Sequence, residues 1–290
     1  MDFKKLKNII KSALIEDIGK KDITTETIIG DIKVKAVIIS KNEGVIAGLD
    51  IANTAFQLVS KNTKFKKLVK DGDKVHKNQI LAILDGKAKK ILIAERTALN
   101  FLSHLSGIAT LTSKYTEKIK PYRCKLLDTR KTTPLLREME KYAVRMGGGH
   151  NHRKGLYDMV LIKDNHLKLI SYCEIKKVID SVKKRISKSV KIEVEVDTLD
   201  SFKKIYDCKA DIIMLDNMSP DKMKKAVKWM KKQKALAKSK KIILEASGGI
   251  NLSNIKEIAK TGVDLISIGE ITHSAPALDV SLEIITLKNR

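Results

Sequence analysis

Aromatic side chains are scarce. Phe, Tyr and Trp make up 4% of the residues, with a single Trp. So few rings argue against a stacking surface for single-stranded nucleic acid. No apolar run approaches the ~18 residues that a membrane helix needs. Cysteine is sparse as well. Cys124, Cys173 and Cys208 are odd in number, far apart, and form no Cys-x-x-Cys pair. They read as reduced thiols of a cytoplasmic protein, not as a disulfide frame or a zinc site. Residues 1–19 pattern as an amphipathic helix ending in acids, unlike a signal peptide.

Positive charge is plentiful. The 290 residues carry 58 Lys plus Arg against 34 Asp plus Glu, a formal net charge of +24. Such an excess favours anionic partners. Its placement narrows that reading. Much of it lies in 174–188 and 221–241, interleaved with Ile, Val, Ala and Met as on a solvated helix face. A basic nucleic-acid-binding protein is one alternative, with no groove-reading motif behind it.

The pattern changes along the chain. Up to about residue 105, strand-like runs at 34–40, 44–47, 65–69 and 80–85 are punctuated by Asp-Gly turns, with a helix over 49–58. This predicts an α+β domain with an antiparallel sheet, over 1–105 and joined by 275–290. Residues 95–119 read as a long helix. Short apolar strands then alternate with helices. The strands fall at 125–128, 159–162, 192–196, 212–215, 242–245 and 265–268; the helices fall at 135–145, 167–186, 199–207, 220–237 and 252–261. Alternating βα units with apolar strands predict a parallel sheet covered by helices. Six strands against the eight of a complete barrel predict an incomplete α/β barrel over 106–274.

Each of these strands runs into polar or glycine residues. In parallel α/β folds the C-terminal strand ends share one face and hold the site. Asp128-Thr129-Arg130-Lys131 follows the first strand, and Lys163-Asp164-Asn165-His166 the second. Arg130, Lys131, Arg153 and Lys163 on one face would repel one another unless anions sit among them. Glu193 and Glu195 share a strand face with Lys191. Glu195 and Asp216 suit Mg²⁺ or sugar hydroxyls; an ion pair is the other reading. Ser247-Gly248-Gly249 and Ile268-Gly269-Glu270 follow the last two strands, where barrels often bind phosphate through backbone N–H groups. Gly147–Arg153 reads Gly-Gly-Gly-His-Asn-His-Arg. Its glycines form a helix cap and permit close backbone approach to a ligand. His150 and His152 lack a third nearby His or Cys, which favours a hydrogen-bonding His152 over zinc.

Together these residues resemble the quinolinate phosphoribosyltransferase family. The resemblance runs through Glu16-Asp17, Asp22-Ile-Thr-Thr, Glu95-Arg-Thr-Ala-Leu-Asn100, Asp128-Thr-Arg-Lys-Thr-Thr-Pro134, Glu140-Lys-Tyr-Ala-Val-Arg145, Gly147–Arg153, Ile162-Lys-Asp-Asn-His166, Leu215-Asp-Asn217, Glu245-Ala-Ser-Gly-Gly249 and Thr272-His-Ser274. It implies an N-terminal open α/β sandwich before the incomplete barrel. It implies conversion of quinolinate and 5-phosphoribosyl 1-pyrophosphate to nicotinate mononucleotide, pyrophosphate and CO₂ with Mg²⁺, in a homodimer or a hexamer built of dimers. Quinolinate would be held by Arg130, His152, Arg153 and Lys163, with Thr129 beside them and Arg96 arriving from the neighbouring subunit. Lys131 and Lys163 would meet pyrophosphate, and Glu195 and Asp216 the ribose hydroxyls and metal. Residues 247–249 and 268–270 would cradle the 5′-phosphate. A sister enzyme acting on nicotinate or another ring acid is the nearer alternative. Three positions depart from the family pattern. Leu135 stands where Gly is usual and Met146 where Cys is. Glu270 replaces a commoner small residue, and its side chain is expected to point away from the phosphate.

Overall fold

The computed structural model describes residues 3–170, 174–236 and 242–288. Two compact units emerge. One comprises Met1–Ser113, Thr132–Gly148 and Ile271–Arg290; the other comprises Lys114–Lys131 and Gly149–Glu270.

The first unit opens with α1 (Phe3–Ile18), which stops where Gly19 turns left-handed at φ 57°. In α2 (Ile23–Ile28) the Asp22 carboxylate accepts the Thr25 N–H, satisfying a free N-terminal donor. An antiparallel sheet follows, ordered β12-β1-β5-β3. Its strands are β1 (Lys33–Ser40), β3 (Lys64–Lys67), β5 (Ile80–Lys87) and β12 (Val280–Lys288). A two-residue pair, β2 (Gly44–Val45) with β4 (Lys74–Val75), lies apart from it. Strand β12 pairs antiparallel with β1 along its whole length. Helix α3 (Leu49–Val59) buries Leu49, Ile51, Ala52, Ala55 and Phe56 at helical spacing. Its free N-terminal amides at Gly48 and Leu49 donate to the Asp71 carboxylate. The long helix is α4 (Ala88–Ile119), seven residues longer at its start than its apolar pattern predicts. The expected boundary at 105/106 falls inside it. Helix α5 (Arg137–Met146) belongs to this unit.

The second unit holds a six-stranded parallel sheet, ordered β6-β11-β10-β9-β8-β7. The strands are β6 (Lys125–Leu127), β7 (Val160–Ile162), β8 (Ile192–Val196), β9 (Ile212–Asp216), β10 (Ile243–Ser247) and β11 (Leu265–Ser267). The order is that of an α/β barrel left open between its first two strands. On the side of β6 away from β11, a single parallel bridge joins Leu127 to His150. The connecting helices are α6 (Asp164–Leu169), α7 (Ile175–Arg185), α8 (Leu199–Tyr206), α9 (Pro220–Leu236), α10 (Ile255–Lys260) and, closing toward the C-terminus, α11 (Glu270–His273). The single helix expected over 167–186 is thus two. His166 accepts the Lys163 N–H through Nδ1, which starts α6 before Leu167, and Ile170 is already extended. Cys173 lies outside the described residues; Cys124 and Cys208 are free thiols. Among the described residues no helix is long and apolar enough to cross a membrane.

Candidate functional site

Arg130, Lys163, Glu195, Asp216, Ser247, Gly248, Gly249, Ile268 and Gly269 all sit at or near the C-terminal ends of the parallel strands, or in the loops that follow, while Arg153 lies in the connection from α5 to β7. Strand polarity therefore collects them, though they span some 140 positions of the chain.

The turn after β6 is set locally. Thr129 Oγ1 accepts the Lys131 N–H at 3.0 Å, a short side-chain turn that competes with regular structure. Arg130 and Lys131 follow directly from it. Asp128, wholly buried at the end of β6, accepts from Asn151 Nδ2 and from the His152 N–H at 2.9 Å. This one carboxylate fixes the segment that presents His152 and Arg153. Arg153 donates to the Met159 carbonyl at 3.2 Å. Burial lowers its pKa and the nearby Arg130 lowers it further, while Glu193 and Asp158 pull it back up. Guanidiniums that disfavour each other's charge suit an anionic ligand.

On the neighbouring strands, Lys163 Nζ lies 3.7 Å from Glu195 Oε2. Burial raises the Glu195 pKa and Lys163 opposes that, with Asp216 among the charges that raise it again. Asn217 Nδ2 donates to Asp216 at 2.8 Å. Lys191, sharing a strand face with both glutamates, is exposed, and it is Lys163 that Glu195 meets. Two oxygen-bearing carboxylates on adjacent strands, half-buried and mutually repelling, suit a hard divalent cation.

His152 reaches inward. Its Nε2 lies 3.0 Å from Glu193 and 3.6 Å from Glu245, both wholly buried. Neither glutamate is held by an aligned hydrogen bond. Burial, and then the charge of Glu193, pushes Glu245 up to about 8, against the opposing pull of His152. Burial and the neighbouring carboxylate thus favour its protonated form. The three side chains place potential metal ligands within 4.8 Å of one another. The tautomer rules that use out. His152 Nδ1 accepts the Arg153 N–H at 2.8 Å, so the ring proton belongs on Nε2. A protonated Nε2 cannot ligate a metal. Both ring nitrogens thus face protein groups, and a hydrogen bond from His152 to a substrate requires giving one of them up.

The glycines divide their work. A Cβ on Gly147 would collide with the Ala109 backbone and Thr112 of α4, so its close approach is to a helix and not to a ligand. Gly148 turns left-handed at φ 84°. Gly248, at φ 86°, lies against Asn217, while Gly249 has open space on its Cβ side out to 3.8 Å. Glu270 directs its carboxylate to the Tyr115 hydroxyl at 2.7 Å. Leu135 adopts φ 67°, the left-handed conformation a glycine would take, with its side chain exposed. Arg96 is exposed on α4. Sequence reasoning gave no role to Asp128, Asn151, Glu245 or Tyr115. An acid closing an apolar strand is a usable signal for Asp128 and Glu245; Tyr115 is one apolar position among many on its helix.

Two family models match the chain: the Quinolinate phosphoribosyl transferase N-terminal domain over residues 22–106 and its C-terminal domain over 108–283. A probable nicotinate-nucleotide pyrophosphorylase [carboxylating] of Bacillus subtilis is 40% identical over 290 residues, covering 100% of this chain and 96% of that protein. The Methanocaldococcus jannaschii protein of the same description is 42% identical, covering 96% of each. The solved nicotinate-nucleotide pyrophosphorylase of Francisella tularensis superposes with a TM-score of 0.91 at 41% identity, over 98% of each chain.

Proposed function

The chain belongs to the quinolinate phosphoribosyltransferase family, and on that premise we propose that it transfers the phosphoribosyl group of 5-phosphoribosyl 1-pyrophosphate to the ring nitrogen of quinolinate, with decarboxylation, in the de novo synthesis of NAD. The products are nicotinate mononucleotide, pyrophosphate and CO₂. The observation that carries this reading beyond the family match is that burial and Arg130 both disfavour the charge on Arg153. A dicarboxylate answers that charge better than a monocarboxylate does.

Each residue then has a task. Arg130, Arg153 and Lys163, with Thr129 beside them, hold the two carboxylates. His152 shapes the floor beneath. Arg96, exposed on α4, reaches the site of a partner subunit in a homodimer, alone or within a hexamer of dimers. Lys131 and Lys163 face the pyrophosphate. The backbone of Ser247, Gly248, Gly249, Ile268, Gly269 and Glu270 receives the 5′-phosphate. Glu195 and Asp216 bind the ribose hydroxyls and hold Mg²⁺ through oxygen or intervening water. When bound, Mg²⁺ neutralises charge on the leaving pyrophosphate. Bond breaking at the ribose anomeric carbon leaves positive charge on the sugar ring. The protein's part is therefore alignment and charge stabilisation, without a covalent intermediate on a side chain. Loss of CO₂ leaves an electron pair on a ring carbon, next to a cationic ring nitrogen, where Arg153 and Lys163 stabilise it. Two free thiols accord with a reducing compartment, and we place the enzyme in the cytoplasm.

The test is direct. Incubation with quinolinate, 5-phosphoribosyl 1-pyrophosphate and Mg²⁺ releases CO₂ and nicotinate mononucleotide. Turnover of nicotinate with none of quinolinate would overturn the assignment. Full turnover in Arg153→Ala or Lys163→Ala would overturn the decarboxylation step.

A further inference from the structure

Tyr115 is one of the largest wholly buried side chains, and it lies in the last turns of α4. Its hydroxyl donates to Glu270 Oε2 at 2.7 Å. Lys118, three residues on, donates to the Leu252 carbonyl at 2.8 Å. Leu252 lies just past Ser247-Gly248-Gly249, and Glu270 ends Ile268-Gly269-Glu270. One helix end therefore grips both late glycine loops, one through a backbone group and the other through a carboxylate.

The carboxylate is the informative part. Glu270 follows Gly269 directly, at the mouth of a loop proposed to receive a dianion. Two unlike features meet there: a glycine-rich turn suited to phosphate and an acid that repels it. A buried Tyr hydroxyl needs an acceptor, and this one has taken the acid as its acceptor. Burial, then Glu270 itself, pushes the Tyr115 pKa upward, so the hydroxyl keeps the proton it donates. Glu270 is itself half-buried, and a carboxylate released from Tyr115 has water to turn into.

We propose that Tyr115 is a positioning residue that withholds the Glu270 carboxylate from the 5′-phosphate cradle, while Lys118 on the same helix end holds the neighbouring loop at Leu252. The inference rests on the reading of those loops as the cradle. It adds what lets this chain carry an acid there: the acid is tolerated because a hydroxyl occupies it.

Steady-state kinetics of the full chain, with quinolinate, 5-phosphoribosyl 1-pyrophosphate and Mg²⁺, test it. If the parent shows no turnover, the functional reading fails and the inference falls with it. Given parental turnover, Tyr115→Phe raises the KM for 5-phosphoribosyl 1-pyrophosphate about tenfold, the order expected for one uncompensated like charge near the phosphate. The quinolinate KM stays within about twofold. Adding Glu270→Ala to Tyr115→Phe recovers most of the lost affinity, which a merely structural role for Tyr115 would not produce. An unchanged KM, an equal rise for both substrates, or a rise that Glu270→Ala leaves in place would each overturn the proposal. If Tyr115→Phe folds poorly, Glu270→Asp and Glu270→Gln put the same question. Asp keeps the charge but falls short of the hydroxyl, so its KM for 5-phosphoribosyl 1-pyrophosphate exceeds that of Gln about fivefold. Equal values would count against the latch.

Discussion

The buried Asp128 carboxylate accepts the backbone N–H of His152 at 2.9 Å, twenty-four residues further along the chain. Asp128 also takes the Asn151 amide, so the last residue before the site turn organises the segment that carries Arg153. Replacing Asp128 with Asn keeps the shape but turns a donor toward two donors. Leaving buried groups unsatisfied costs about 1–3 kcal/mol. Asp128→Asn is expected to raise the quinolinate KM at least about tenfold, with a smaller effect on 5-phosphoribosyl 1-pyrophosphate. Initial-rate kinetics with each substrate varied in turn check this; an equal loss for both would show general destabilisation instead.

Leu135 occupies left-handed backbone with an exposed side chain. That conformation costs an L-residue roughly 1–2 kcal/mol, and exposure means no packing offsets it. Glycine removes the strain while adding unfolded-state entropy worth about 0.5–1 kcal/mol. Leu135→Gly is therefore expected to raise the melting temperature by about 1–3 °C. Leu135→Val, with its branched Cβ, is expected to lower it. Calorimetry on the two variants, read for opposite signs, decides the matter.

Glu245 makes stability depend on pH. Burial and the charge of Glu193 raise its folded pKa from the ordinary 4.5 to about 8. Between those values the folded chain holds a proton that the unfolded chain has released. Stability from this group is thus full below about pH 4.5 and falls as pH rises through about 8. Glu245→Gln is expected to flatten the decline over that interval. Urea midpoints measured from pH 5 to pH 9 give the slope, and an unaltered slope in the variant would refute the assignment.

Glu195 and Asp216 lie on neighbouring strands, with Glu195 in register with Met214; burial raises the Glu195 pKa and the charge of Asp216 adds to it. The Mg²⁺ proposed above would relieve that repulsion. Asp216→Asn is expected to shift half-maximal activity to at least about tenfold higher Mg²⁺, because one hard anionic ligand is lost. A Mg²⁺ titration of rate for parent and variant measures the shift.

How much of this was legible beforehand varied with the physics involved. The six parallel strands were, because a strand covered on both faces reads as a short apolar run; β8 (Ile192–Val196) matches its predicted bounds. The break between α6 and α7 was not. It depends on His166 turning back to the Lys163 N–H, a local choice that periodicity does not encode. Polar residues at strand ends marked Arg130, Lys163 and Asp216, because strand direction alone collects them. The inward turn of His152 onto Glu193 and Glu245 was hidden, since it joins a loop residue to the interiors of two strands at separations no local pattern spans. Likewise the need for Gly147 comes from α4 pressing against it, a contact that three consecutive glycines did not distinguish from room for a ligand.

A parallel sheet that stays open has two free margins, and here they belong to β6 and β7, three residues each. One margin is further blunted by the lone bridge at His150. Strands this short offer too few consecutive amides and carbonyls to recruit a passing chain. The gap in the ring therefore carries little risk of aggregation during synthesis or partial unfolding. A variant that extended β7 by two or three apolar residues would give up that protection.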